Sequence, residues 1–141
     1  MTLNRYVLDA NVLVSAVLSP NSTANQAYQK ALETGILLAS IQTFTEYESV
    51  ISRPKFDRYI SLSRRQNFLA ELRAGVELIE IIEFITDCRD TKDNIYLDVA
   101  INGLADVLIT GDQDLLVLHA YRGILPILNP SDFIKNEAFT R

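Results

Sequence analysis

This sequence predicts an α/β fold on a central parallel sheet, and three observations carry the prediction. Short apolar runs alternate with segments of helical periodicity along the chain. Tyr6-Val7-Leu8 runs straight into Asp9, as a buried strand does when it delivers an acid to the end of a sheet. The arrangement returns late in the chain, where Val107-Leu108-Ile109-Thr110 leads into Gly111-Asp112-Gln113-Asp114. Strands separated by helices imply parallel pairing through right-handed crossovers.

Each element follows from local pattern. Residues 5–8 form the first strand, and the apolar stretch 11–18 a helix that ends near Ser19-Pro20-Asn21. Ser22 or Thr23 caps a second helix, which places Ala24, Ala27, Tyr28, Ala31 and Leu32 on one face and stops at Gly35. Residues 36–39 are a short buried strand, and a helix over 43–52 is limited by Pro54. Residues 55–60 suit a short helix. Ser63 and Gln66 have capping-box spacing for a helix to about Ala74, with Phe68, Leu69 and Leu72 inward, although the apolar run 68–72 would also permit a dimer contact. Residues 76–82 read as an edge or exposed strand because glutamates recur in it. A helix over 92–103, a strand over 107–110, a helix over 114–120 and a strand over 124–128 follow. Pro130 opens a terminal helix at its first position.

The bulk properties narrow the function. A length of 141 residues favours one domain over residues 1–141, large enough for a core without staples. The hydrophobic fraction of 48% argues against disorder. Thirteen basic and eighteen acidic residues leave a net charge of −5, so nucleic acid would have to be met through local basic groups or bound metal. Cys88 is the single cysteine, which excludes an intrachain disulfide and suits a reducing compartment. The N-terminus lacks a signal-peptide pattern and no apolar run has membrane-spanning length, so the expected location is the cytoplasm. With His119 as the sole histidine, neither a Ser-His-Asp nor a Cys-His arrangement is plausible.

Ligands of open parallel sheets sit beyond the carboxyl ends of the strands, where Asp9 and Asp112 fall. Glu46 and Asp93 lie near helix starts that follow a strand or loop. Each acid also has a local explanation. Thr43 with Glu46, and Asp90 with Asp93, have capping spacing, and Asp112 or Asp114 can cap the next helix. Jointly the acids say more. Two carboxylates ~5 Å apart repel by about 3 kcal/mol at an effective dielectric of 20, and a hard cation removes that repulsion. Mg²⁺ and Mn²⁺ prefer oxygen ligands and keep reactive waters. Asn11, Ser15 and Thr110 are placed to support the acids by hydrogen bonding, Asp114 is either a cap or a further ligand, and Asp90 and Asp98 read as structural or solvated. Arg53, Lys55, Arg58, Arg64, Arg65, Arg89 and Lys92 form modest basic groups. Arg53, Lys55 and Lys92 are the candidates for meeting a phosphate backbone, and Tyr47, Tyr59 and Tyr96 the aromatics available for stacking.

These stretches, together with Arg53-Pro54-Lys55-Phe56, Cys88-Arg89-Asp90-Thr91-Lys92-Asp93-Asn94 and Asn129-Pro130-Ser131-Asp132-Phe133, resemble the PIN-domain family of metal-dependent nucleases, nearest to its toxin components of toxin–antitoxin pairs (VapC-type). The resemblance covers about residues 5–134. It implies a three-layer α/β/α sandwich and a site of Asp9, Glu46, Asp93 and Asp112, with Mg²⁺ or Mn²⁺, one or two per site, on Asp9, Asp93, Asp112 and Asp114. It also implies cleavage of single-stranded RNA, an antitoxin partner and commonly a homodimer. Two positions depart from the family pattern: Ala10 replaces a common threonine, and Tyr47 a common aliphatic. Glu48 is the rival to Glu46, but in a helix it points about 200° away from it. The other readings of the fold are a catalytically inactive metal- or RNA-binding module and a receiver-like phosphoacceptor. The second needs a lysine after a late strand, where this chain has Asn129-Pro130.

Overall fold

The computed structural model describes residues 3–139. In chain order the elements are β1 (Asn4–Leu8), α1 (Ala10–Leu18), α2 (Thr23–Thr34), β2 (Gly35–Ala39), α3 (Ile41–Ile51), a 3₁₀ turn (Pro54–Phe56), α4 (Leu62–Gly75), β3 (Glu77–Leu78), a second 3₁₀ turn (Thr91–Asp93), α5 (Asn94–Asn102), β4 (Val107–Ile109), α6 (Gln113–Leu116), β5 (Ile127–Leu128) and α7 (Pro130–Lys135). The five strands are all parallel, in the order β3-β2-β1-β4-β5. The α/β/α sandwich is therefore as expected. Tyr6, Val7 and Leu8 of β1 and all of β4 are buried, as strands covered on both faces must be.

The chain steps outward from β1 to β2 and β3, then returns to the far side of β1 with β4. The order reverses between β1 and β4, which places the crevice of a parallel sheet beyond Leu8 and Ile109. Tyr6 anchors the other end of β1. Its ring meets Phe133 and Phe139 edge-on at 5.2 and 5.9 Å, and its hydroxyl lies 2.6 Å from Thr34 Oγ1. Lys30 Nζ fastens α7 by donating to the carbonyls of Phe133, Ile134 and Asn136 at 2.7, 3.2 and 2.8 Å.

Several boundaries differ from the sequence reading. Ser61, not Ser63, caps α4, accepting from the Arg64 N–H at 3.2 Å. The capping box of α3 pairs Ser40 with Thr43 rather than Thr43 with Glu46, which frees Glu46 from that duty. The segment 76–82 contributes only Glu77–Leu78 to the sheet, because α5 takes over the backbone that follows. Asn102 Oδ1 accepts from the N–H groups of Ile82 and Glu83 at 3.0 and 2.9 Å, Asp98 from Ile85 at 2.6 Å, and Asn94 from Cys88 at 2.9 Å. These three side chains, four residues apart, line one helix face. The helix predicted over 114–120 shortens to α6, and the last strand to β5, preceded by an antiparallel bridge of Tyr121 and Leu125. Residues 55–60 form the 3₁₀ turn and successive turns instead of a helix. Leu69 and Leu72 are core residues and Phe68 packs on Tyr28 at 5.3 Å, so that run offers no free apolar face.

Gly35 does end α2, but not as a left-handed cap, since its φ of −176° is extended. Its requirement is space: a Cβ there would lie 2.2 Å from the Asn4 carbonyl oxygen on the paired strand. Gly35→Ala is expected to push β1 and β2 apart and to cost about 1–3 kcal/mol. Urea unfolding of that variant with no loss of stability would contradict the pairing.

Candidate metal centre

Two strands deliver the first acids. Asp9 follows β1, is 4% exposed, and caps α1 by accepting from the Val12 N–H at 2.9 Å. Its own N–H donates to the Ile109 carbonyl at 3.2 Å, which ties it to the end of β4. The Thr110 hydroxyl donates to Asp9 Oδ2 and accepts from the Asp112 N–H at 3.0 Å. One buried hydroxyl thus sets the spacing of the first and last acids. Burial holds the Asp9 carboxyl above its ordinary range, opposed by the Thr110 and Val12 bonds and reinforced by the charge of Asp112.

The third acid is the most unusual. Asp93 stands at the cap position of α5, yet its carboxylate makes no capping bond. Its Oδ2 is buried without any hydrogen-bond partner, a cost that a folded chain rarely carries for nothing. Its pKa is pushed up to about 7, first by burial, then by the facing Asp112 carboxyl, then by Asp90 and Asp9. Asp90, Asp93 and Asp112 each offer a carboxylate oxygen, all within 4.8 Å of one another. Asp90 caps the 3₁₀ turn through the Lys92 N–H at 3.4 Å and pairs with Lys92 Nζ at 3.6 Å. Asp90 thus has the structural role its sequence suggests, and the three-residue spacing to Asp93, which a 3₁₀ turn stacks on one side, also brings its carboxylate beside Asp93 and Asp112.

Around these oxygens an open-mouthed pocket of about 200 Å³ is lined by Asp9, Asn11, Glu46, Arg53, Lys92 and Tyr96 beside the three clustered acids. Glu46 enters it half-buried from α3. Its neighbour Tyr47 explains an aromatic where the resemblance expects an aliphatic residue. The Tyr47 hydroxyl donates to the Leu8 carbonyl, and its ring stacks on Tyr96 at 6.4 Å. Tyr96 in turn accepts from the Ala10 N–H at 3.1 Å, so two rings brace the backbone on both sides of Asp9. Four predicted residues fall outside the pocket lining, among them Thr110, which acts from behind Asp9. Ser15 is exposed on α1, and Lys55 is exposed on the 3₁₀ turn. Asp114 meets the cluster through its backbone, its N–H donating to Asp112 Oδ1 at 2.8 Å and its carbonyl accepting from Cys88 Sγ at 3.6 Å.

The donor set fits a hard divalent cation. All the acids present oxygen, two cationic side chains at the wall cannot neutralise five carboxylates, and Asp93 Oδ2 lacks any other partner. In the metal-free protein this crowding should appear as pH dependence. The raised pKa of Asp93 means that the folded chain binds a proton which the unfolded chain, near 3.8, releases. Its stabilising contribution is complete below about pH 4 and is lost as pH rises through about 7. In EDTA, the melting temperature of the wild type should therefore fall relative to Asp93→Asn across that window. A difference that stays constant from pH 4 to pH 7 would contradict the cluster's mutual repulsion.

Comparison with known proteins agrees with this fold. The PIN domain profile matches residues 5–114. The uncharacterized protein MJ1680 of Methanocaldococcus jannaschii is 30% identical over 142 residues, covering 93% of this chain and 90% of its own length. In fold, the chain is similar to the crystal structure of PAE2754 from Pyrobaculum aerophilum, with a TM-score of 0.59 at 14% identity over 94% of this chain and 88% of that one. It is also similar to a chain in the crystal structure of VapBC2 from Rickettsia felis bound to a DNA fragment from their promoter, with a TM-score of 0.54 at 16% identity over 89% and 98%. Among the described residues no helix is long and apolar enough to cross a membrane.

Proposed function

Because this chain belongs to the PIN-domain family, whose members are generally nucleases, we propose that its acidic pocket is the active centre of a metal-dependent endoribonuclease acting on single-stranded RNA. The observation that carries the reading is the orphaned, buried Asp93 Oδ2 inside a group of converging carboxylates. Asp9, Glu46, Asp93 and Asp112 would hold one or two Mg²⁺ or Mn²⁺ ions, with Asp90 beside them. When bound, such an ion supplies a Lewis acid for a phosphate oxygen and lowers the pKa of a coordinated water.

The remaining work falls to the chain itself. Thr110 and the Val12 N–H bond the Asp9 carboxyl and oppose the upward push of its burial. The Tyr47–Tyr96 pair fixes the turn that carries Asp9, so the acid does not yield when a phosphate approaches. Arg53 and Lys92, at the wall of the pocket, offset the repulsion between substrate phosphates and the acids and orient the backbone. No side chain in the pocket is needed as a general base, and His119 is committed elsewhere, its Nδ1 accepting from the Ile127 N–H at 2.9 Å. The products on this reading carry 5′-phosphate and 3′-hydroxyl ends.

The purified protein should cleave a single-stranded RNA of mixed sequence in Mg²⁺ or Mn²⁺ and leave it intact in EDTA. Metal binding by calorimetry with no cleavage would identify a binding module instead, and cleavage that persists in EDTA would refute the metal mechanism. We further propose that the protein is the toxin of a toxin–antitoxin pair, acting in the cytoplasm, bound by a cognate antitoxin and able to form a homodimer. Expression in a bacterial host should then arrest growth, and a small antitoxin encoded next to it should relieve the arrest on co-expression. Normal growth on expression of an active enzyme would remove the toxin role while leaving the nuclease.

A further inference from the structure

Beyond the pocket wall, the chain continues from Arg53 into a compact loop over residues 53–60. Its backbone closes on itself: the N–H groups of Phe56, Asp57, Tyr59 and Ile60 donate to the carbonyls of Arg53, Pro54, Phe56 and Phe56. Pro54 opens the first turn, and Phe56 packs against the core. Arg65 holds the whole loop from below. It is 0% exposed, yet its guanidinium donates to the carbonyls of Ile51, Arg53 and Ile60 at 2.8, 3.2 and 3.3 Å and pairs with Asp57. A buried guanidinium is an expensive way to fasten a loop whose only merit is to connect two helices, since apolar packing fixes such a turn as well. The loop it secures carries Lys55, Arg58 and Tyr59, all exposed. Tyr59 is 66% exposed, the Arg58 guanidinium lies over its ring 5.4 Å from the centroid, and Lys55 Nζ lies 5.2 Å from the Phe56 centroid. An exposed aromatic ring with cations in the same loop, continuous in sequence with a pocket residue, is how proteins grip a single nucleic-acid strand without reading its sequence.

We propose that the loop over residues 53–60 is a preformed platform for the single-stranded substrate outside the acidic pocket. A base stacks on Tyr59 while Lys55 and Arg58 meet the adjoining phosphates. The inference rests on the nuclease reading and extends it, because it assigns the strand's path and a preference for unpaired bases. Base-paired RNA cannot offer a face to Tyr59 without unstacking.

The test measures binding of a short labelled oligouridylate by fluorescence anisotropy in Ca²⁺, alongside RNA cleavage in Mg²⁺. Tyr59→Ala should weaken single-strand binding about 10-fold, Tyr59→Phe should restore it, and duplex RNA should be unaffected by either. The Lys55→Gln and Arg58→Gln variants should each lower the slope of log affinity against log salt by about 0.7. With no tryptophan in the chain, tyrosine emission gives a second readout: RNA should quench it in the wild type and less so in Tyr59→Ala. Unchanged binding by Tyr59→Ala in a protein that cleaves RNA overturns the platform and leaves the nuclease standing. If the wild type neither binds nor cleaves single strands, both readings fall. If these variants bind RNA normally but lose a protein partner, the loop is a protein-docking surface and the platform is wrong.

Discussion

Asp93→Asn is expected to lower Mg²⁺-dependent RNA cleavage by on the order of 10²–10³-fold while making the metal-free protein more stable. The two signs together are the diagnostic. Asparagine keeps the volume of the side chain, so the start of α5 has no reason to shift, and the aspartate makes no capping bond that could be lost. What disappears is a negative charge that burial, Asp112, Asp90 and Asp9 all oppose, so folding improves. The same charge is what a divalent ion requires. Asp9→Asn should share the loss of activity but gain less stability, because Asp9 already has two good donors in Thr110 and Val12. Thr110→Val should act through Asp9 and Asp112 with a milder loss, roughly 10–100-fold. Steady-state cleavage rates and urea melts in EDTA check both signs. An active Asp93→Asn protein would remove Asp93 from the mechanism.

Arg65→Met should unfold more easily by about 3–5 kcal/mol. Replacing a buried ion pair with apolar residues is often harmless when both partners go. Here the partners cannot go, because three are backbone carbonyls, of Ile51, Arg53 and Ile60, and they would lose their donor inside the protein. Asp57 is a smaller concern, since its side chain is 59% exposed and stays hydrated. For a chain of this size each kcal/mol corresponds to roughly 2–4 °C, so the melting temperature should fall by about 10 °C or more. A melting temperature within a degree or two of the wild type would show that the loop finds other donors.

Arg65 also shows where sequence reading stops. In the sequence it stands beside Arg64 as one of two basic residues on a helix, and nothing local distinguishes the exposed one from the one that fills the core. Its burial depends on the turn over residues 53–60 folding back beneath α4. The short β3 has the same kind of cause: apolar residues in 76–82 promise a strand, but side chains of α5, about 20 residues away, compete for the backbone. The order of the elements was legible because apolar runs and caps are local signals. The convergence of Asp9 with Asp112 was legible because each ends a strand, and parallel strands put their carboxyl ends together. Glu46 was harder. Its place at the pocket depends on the exit angle of α3, which Ser40 and Thr43 set and Tyr47 stabilises from across the sheet. Asp90 reads as structural because its bonds to Lys92 are local, and its nearness to Asp112 appears only in the folded chain.

The account depends on carboxylates from four separate elements meeting where a divalent ion can join them. Anomalous scattering from crystals soaked in Mn²⁺ tests this most directly. The expected result is a strong peak between the carboxylates of Asp9, Asp93 and Asp112, lost when Asp93→Asn crystals are soaked in the same way. A fully soaked wild-type crystal with no peak in this pocket, or with its only peak elsewhere on the surface, would contradict it.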